Sequence, residues 1–174
     1  QAVVTTAAYA LDHAGLIDEA DALLKANLAK SHSPYYLMSD LADNARKRGD
    51  KVEALRWHEQ AFDRSEGPAT RLQWGAGYVS ALVDLSPDDD ARIERAVAQL
   101  FTEAAAMPDA FYERSGRSME RIAARLRAWN QGGAKAAVIR RLQTRLDSVC
   151  SKLPAGDTQR ARCDGLLKPA VKGK

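Results

Sequence analysis

Ala8, Gly15, Ala20 and Pro34 reappear as Ala42, Gly49, Ala54 and Pro68, each displaced by 34 residues. A fixed period of this kind constrains the chain strongly, because a short repeated unit cannot bury its apolar face alone and must stack on its neighbours. The segments Ala14-Gly15-Leu16-Ile17-Asp18-Glu19-Ala20 and Arg48-Gly49-Asp50-Lys51-Val52-Glu53-Ala54 are one device used twice. In each, Gly closes a helix because it accepts a left-handed backbone at little cost. Acidic residues then open the next helix, where they complement its dipole. Alanines at 8, 20, 42, 54 and 61 fall where paired helices must approach closely.

The period weakens further along. Leu72, Gly75, Ala76 and Val79 continue the first-helix pattern, and Ala96, Leu100 and Pro108 resume the register of the second helix. Between them, Asp84 to Asp90 is expected to lengthen the connection by about eight residues. A fourth pair is expected at about 111–130 and 134–152, where Met119, Ile122, Ala123, Leu126 and Trp129, then Val138, Leu142, Leu146 and Val149, recur at helical spacing. Pro34, Pro68, Pro87 and Pro108 each read as lying just inside a helix start, where the missing N–H costs nothing. Ser86 reads as the N-cap of the helix that Pro87 would open. Nothing reads as a strand, so the expected class is all-α.

The organisation expected is an array over 1–152 with units at about 1–34, 35–68, 69–108 and 109–152. A C-terminal capping helix over 153–168 and a flexible tail over 169–174 follow. A low aromatic content of 6%, together with abundant alanine, favours helix on helix. No apolar run approaches the roughly 20 residues that cross a bilayer. Gln1 opens directly into helical sequence with no signal peptide, which reads as a piece of a longer protein. Charge is divided: residues 1–110 carry 11 Lys/Arg against 18 Asp/Glu, and residues 111–174 carry 15 against 5. Such a split either steers partners or reflects two differently composed solvated faces.

The 34-residue unit with small residues at its eighth and twentieth positions resembles the tetratricopeptide repeat over residues 1–68. The likeness is divergent: Val4 and Met38 stand where that repeat has Trp, and Asn27 replaces the small residue that Ala61 supplies in the second unit. The resemblance implies a right-handed array of antiparallel helix hairpins whose first helices line a groove for an extended peptide or a partner's helix. Its fifth, ninth and twelfth positions would face that groove. They are Thr5, Tyr9 and Asp12, then Ser39, Asp43 and Arg46, then Gln73, Gly77 and Ser80. Tyr35, Tyr36 and Trp74 lie nearby, either as rigid aromatic contacts or as core. Thr5 and Tyr9 replace the Lys and Asn of the repeats that clamp C-terminal carboxylates, which puts that specificity in doubt.

Chemistry-bearing patterns are few. His13, His32 and His58 are scattered with no metal-ligand spacing, and His58 takes a position where a large residue packs between helices. No cofactor motif, nucleophile–base arrangement or paired-carboxylate site stands out, so no catalytic residue is expected in this chain. Gln131-Gly132-Gly133 reads as a helix-ending turn. Cys150 closes one helix, Pro154-Ala155-Gly156 turns the chain, and Asp157 caps a short helix carrying Cys163. The two cysteines are open to three readings: a structural disulfide, two buried thiols or a redox pair. A disulfide across so short a loop stabilises by about 3 kcal/mol and belongs to an oxidising compartment such as the periplasm.

Ser33-Pro34-Tyr35-Tyr36-Leu37-Met38, together with the Cys150…Cys163 segment, is similar to the helical region that follows the thioredoxin-like domain in some bacterial exported thioredoxin-family proteins. That resemblance implies an exported accessory region whose catalytic domain lies outside this chain. A different possibility rests on Arg114, Arg117, Arg121 and Arg125, which form a stripe at helical spacing, with Arg140, Arg141 and Arg145 on the next helix. Such a stripe suits a nucleic acid or another polyanion, though no aromatic residues interleave with it. The leading expectation is a scaffold binding a protein or peptide in a helical groove, and the alternative is a basic polyanion-binding module.

Overall fold

The structure is a computed structural model that describes residues 2–168, and among these it is all-helical, with no strand. It falls into two compact units divided between Glu66 and Gly67. That boundary lies one residue before Pro68, which closes the second 34-residue repeat.

The first unit holds α1 (Ala2–His13), α2 (Ile17–Asn27), α3 (Pro34–Lys47) and α4 (Lys51–Arg64). Both of its tight connections are built the same way. Gly15 and Gly49 take φ of +80° and +76°. The amide of Leu16 donates to the Leu11 carbonyl at 2.9 Å, and 34 residues on the Asp50 amide donates to the Ala45 carbonyl at 2.9 Å. These bonds satisfy carbonyls that the end of a helix would otherwise leave without partners. Asp50 then caps α4 by accepting from the Glu53 amide at 3.0 Å, and Pro34 opens α3. α1 packs on α2, α2 on α3, and α3 on α4. Ala8, Ala20, Ala42, Ala54 and Ala61 are all buried, with Leu24, Leu37, Leu41 and Phe62 filling the space around them. Asp21 is a buried charged member of this core, with Asn44 and Ser65 also buried. It accepts from Asn44 Nδ2 at 2.8 Å and from Arg48 Nη2 at 2.5 Å, tying α2 to α3. His58 is only half-buried, and the aromatic rings buried in that helix are its neighbour Trp57 and Phe62.

The second unit holds α5 (Pro68–Leu85), α6 (Asp90–Ala105), α7 (Glu113–Trp129), α8 (Ala136–Cys150) and α9 (Thr158–Gly165). α5 packs on α6 and α7, α6 on α8, and α8 on α9. Four sequence expectations fail here. The additional residues near 84–90 do not form a long connection: α5 runs to 18 residues where α3 has 14, and only 86–89 lie between α5 and α6. Pro87 sits in that turn and not inside a helix, and the N-cap is Asp89, accepting from the Arg92 amide at 3.1 Å, not Ser86. The turn is held from outside, because the buried Trp129 donates its indole N–H to the Pro87 carbonyl at 2.7 Å. Pro108 likewise lies in a turn ahead of α7.

The start of α7 curls tightly over Phe111. A Cβ on Gly116 would meet the Phe111 carbonyl oxygen at 2.7 Å, so only glycine fits there. The capping segment is helical over 158–165 alone. Buried Gln159 accepts from the Phe111 amide at 3.0 Å and donates to the Pro108 carbonyl at 2.9 Å. Arg127 donates to the Leu166 carbonyl at 2.7 Å. Cys150 and Cys163 are fully buried, with sulfurs 1.96 Å apart and Cα atoms 5.5 Å apart. The tail expected over 169–174 lies outside the described residues.

Ala42 has no exposed surface, so Ala42→Leu forces extra methylenes into a closed contact. The expected cost is about 1–3 kcal/mol, read as a lower urea midpoint with an unchanged denaturant slope. Ala7→Leu, on the exposed side of α1, should leave the midpoint in place.

Candidate functional site

The first unit encloses a groove of about 460 Å³ between α1 and α3. Its α1 wall is Thr5, Thr6, Ala8, Tyr9, Asp12 and His13, and its α3 wall is Asp40, Asp43, Asn44 and Lys47. Leu24 of α2, fully buried, contributes apolar surface. The α3 residues follow i, i+3, i+4, i+7 spacing, which places them on one helix face.

Of the nine residues expected at a partner-binding surface, the structure brings Thr5, Tyr9, Asp12 and Asp43 together here. Thr5 Oγ1 donates to the Ala2 carbonyl at 3.0 Å. Tyr9 is 63% exposed, and its ring lies 3.8 Å from that of His13. The Asp12 carboxylate is nearly covered and receives a hydrogen bond from Lys47 Nζ. Tyr36, Ser39 and Arg46 do not line the groove. Ser39 and Arg46 lie about a quarter turn round α3 from the lining face, given roughly 100° per residue. Tyr36 belongs to the same stripe as Asp40 and Asp43 but sits a turn nearer the start of α3, exposed, with its ring 5.1 Å from that of Tyr35.

In the second unit Gln73 is engaged by Arg114, whose Nε donates to the amide oxygen at 3.0 Å. Trp74 is half-buried on α5. Asp40, Asn44 and Lys47 are the α3 residues of the groove that the repeat's equivalent positions do not mark, as Thr6, Ala8, His13 and Leu24 are on α1 and α2. Those on α3 stand at the sixth, tenth and thirteenth positions of the second 34-residue repeat, and their shared helical face is the signal that marks them.

Asp40 is the electrostatic oddity of the groove. Partial burial, with Asp43 beside it and Lys47 only partly compensating, pushes its carboxyl from 3.8 to about 6. Asp40 and Asp43 make no ion pair among the described residues, since Lys47 is held by Asp12.

The arginine stripe is divided by the fold. Arg125 pairs with Asp84 and Arg114 with Gln73, both on α5. Arg117 and Arg121 stay exposed with no ion pair among the described residues. On α8, Arg141 grips Glu94 through two bonds of 2.8 and 2.7 Å and holds that carboxyl below its ordinary range. Arg117 also borders a cleft of about 640 Å³ between the start of α7 and α9, which Tyr112, Glu120 and Arg162 share.

No group of three or more His, Cys, Asp or Glu side chains that could hold a metal occurs among the described residues. No described helix is long and apolar enough to cross a membrane. Compared with known protein-family models, curated proteins and solved structures, the chain finds no match.

The raised carboxyl of Asp40 sets a pH dependence with a definite sign. Folded chain holds the Asp40 proton more tightly than unfolded chain. The group therefore favours folding fully below about pH 4, and that contribution is lost as pH rises to about 6. Asp40→Asn should stabilise the protein at pH 7.5 by about 1 kcal/mol, after discounting for solvent screening at a half-exposed group. The variant should differ little from the parent at pH 4, as chemical denaturation at the two pH values will show.

Proposed function

We propose that this chain is a tetratricopeptide-like array of antiparallel helix hairpins that works as a protein-binding scaffold, with an extended polypeptide lying in the α1–α3 groove. The observation that carries the reading is the groove itself. It lies between the first helices of the two 34-residue repeats of the first unit, and it presents an exposed aromatic ring at Tyr9 beside the buried Ala8 and Leu24. An aromatic anchor over an apolar floor, ringed by polar groups, has the composition of a peptide-binding surface. In this reading the chain contributes binding, and any catalysis belongs to another domain or protein.

The setting belongs to the same proposal. The buried Cys150–Cys163 pair ties α9 to α8 and suits an exported accessory region beside a thioredoxin-like domain. The competing polyanion reading draws on Arg117 and Arg121 of α7 with Arg140 and Arg145 of α8, because Arg114 and Arg125 are already committed to α5 and Arg141 to Glu94.

Two measurements test these statements. Tyr9→Ala should weaken capture of an extended peptide by about tenfold, the loss of a single aromatic anchor, and binding should survive 0.3 M salt on the order used to screen surface charge. Tight heparin binding that falls steeply with salt, with no effect of Tyr9→Ala, would replace the groove reading by the polyanion one. Alkylation and intact mass of unreduced protein made in an oxidising compartment should show no adduct until reduction; two adducts without reduction would remove the exported assignment.

A further inference from the structure

Resting on the groove reading above, we infer that the occupant of the α1–α3 groove is a polypeptide segment bearing a lysine or arginine, whose cationic head is received between Asp40 and Asp43 while its aliphatic stem lies along the exposed ring of Tyr9.

The inference begins from a charge count inside one cavity. Three carboxylates line the groove, at Asp12, Asp40 and Asp43, against one lysine. Lys47 is spent on Asp12, which is nearly covered and belongs to the packing of α1 on α3. Asp40 and Asp43 are left facing the same space, three residues apart on one helix and without an ion pair among the described residues, Lys47 offsetting Asp40 only in part. Like charges at this spacing are mutually unfavourable, so the arrangement costs the folded chain free energy. Burial of Asp40 adds to that cost. A guanidinium or ammonium placed between the two carboxylates removes the repulsion and forms charge-assisted hydrogen bonds.

The surroundings favour an organic cation over a metal ion. No three-ligand cluster occurs among the described residues, and a hard divalent cation needs six or more oxygens drawn close around it. The groove instead combines two acids with an exposed aromatic ring and apolar side chains. Lysine and arginine match that combination, because their long stems bury along apolar surface while the charged head stays among polar groups. The face of Tyr9 adds a second attraction for a cation. The first unit is also acidic overall, with 8 Lys/Arg against 11 Asp/Glu over residues 1–66, which draws a basic segment toward it.

The test uses the full chain and fluorescein-labelled octapeptides of Ser, Leu and Pro with one central Arg, citrulline or Glu, read by anisotropy. Citrulline keeps the shape of arginine and removes its charge. The Arg peptide should bind about tenfold more tightly than the citrulline peptide, the order of one charge-assisted contact, and the Glu peptide should bind weakest. In the Asp40→Asn/Asp43→Asn double variant, with its helical circular dichroism intact, the Arg-to-citrulline ratio should fall to about one.

Equal binding of the Arg and citrulline peptides, still weakened by Tyr9→Ala, would overturn the cationic occupant and leave the groove reading standing. Failure of every peptide to bind would overturn the groove reading and this inference together. Calcium binding by calorimetry that is lost in the double variant would overturn it too, by assigning the two carboxylates to a metal.

Discussion

Close approach of helices through alanine is the constraint on which the first unit depends. Ala20, Ala42 and Ala54 have no exposed surface, and Ala8 and Ala61 very little. A methyl group at each of these points lets α1, α2, α3 and α4 pack tightly without side chains holding them apart, and leucines and Phe62 fill the remaining space. The two glycine turns have to place those alanines in register, and they do so with the same 2.9 Å hydrogen bond 34 residues apart. Period and packing are one statement here: repeating the turn repeats the contact. The groove follows from it, because α1 and α3 are brought side by side over Ala8 and Leu24.

Equivalent positions in the repeat do not share an environment, however. Leu37, Leu41 and Asn44 on α3 are buried, whereas their counterparts Val3, Ala7 and Ala10 on α1 are exposed. α3 has a helix on either side, α2 and α4, whereas α1 packs chiefly on α2. At one pair the residue type reflects this: Leu41 where there is a cover, Ala7 where there is not. The second unit uses a different strategy. There the period has dissolved, and polar anchors hold the irregular segments: Trp129 on the Pro87 carbonyl, Gln159 clasping the Pro108–Phe111 turn, and Arg127 on the Leu166 carbonyl. Each joins residues about 40 to 50 positions apart, so none is visible as a local pattern.

Charge is treated differently in the two units, and the difference bears on what each can bind. The stripe of arginines on α7 is continuous in sequence but not in chemistry, since α5 takes Arg114 and Arg125 as partners through Gln73 and Asp84. Pairing of that kind uses up cationic surface before any polyanion arrives. In the groove the reverse holds. Of the groove's three acids only Asp12 is ion-paired among the described residues, and Asp40 and Asp43 face an open space. A folded chain tolerates two such acids at a cost, and that cost is recoverable by a ligand of opposite sign.

The helical class, the two glycine turns, the buried alanines and the apolar faces of α7 and α8 were legible in the chain itself. Each depends on spacing within a single helix or a single turn, and local stereochemistry and helical periodicity act at that range. What escaped was everything decided between elements. Pro87 and Pro108 look like helix starters by composition, yet Trp129 and Gln159 hold their carbonyls in turns. The extra residues of the third pair went largely into longer helices, a choice set by what α5 packs against and not by its own propensity. The groove kept Thr5, Tyr9, Asp12 and Asp43 but exchanged Ser39 and Arg46 for Asp40, Asn44 and Lys47, because the rotation of α3 about its axis is fixed by its contacts with α2 and α4. Sequence alone therefore determined which residues form helices and where the first unit's turns fall. Tertiary structure decided which helix faces are covered, which arginines are spent and which two carboxylates are left together, because burial and pairing are properties of neighbours that a linear pattern does not contain.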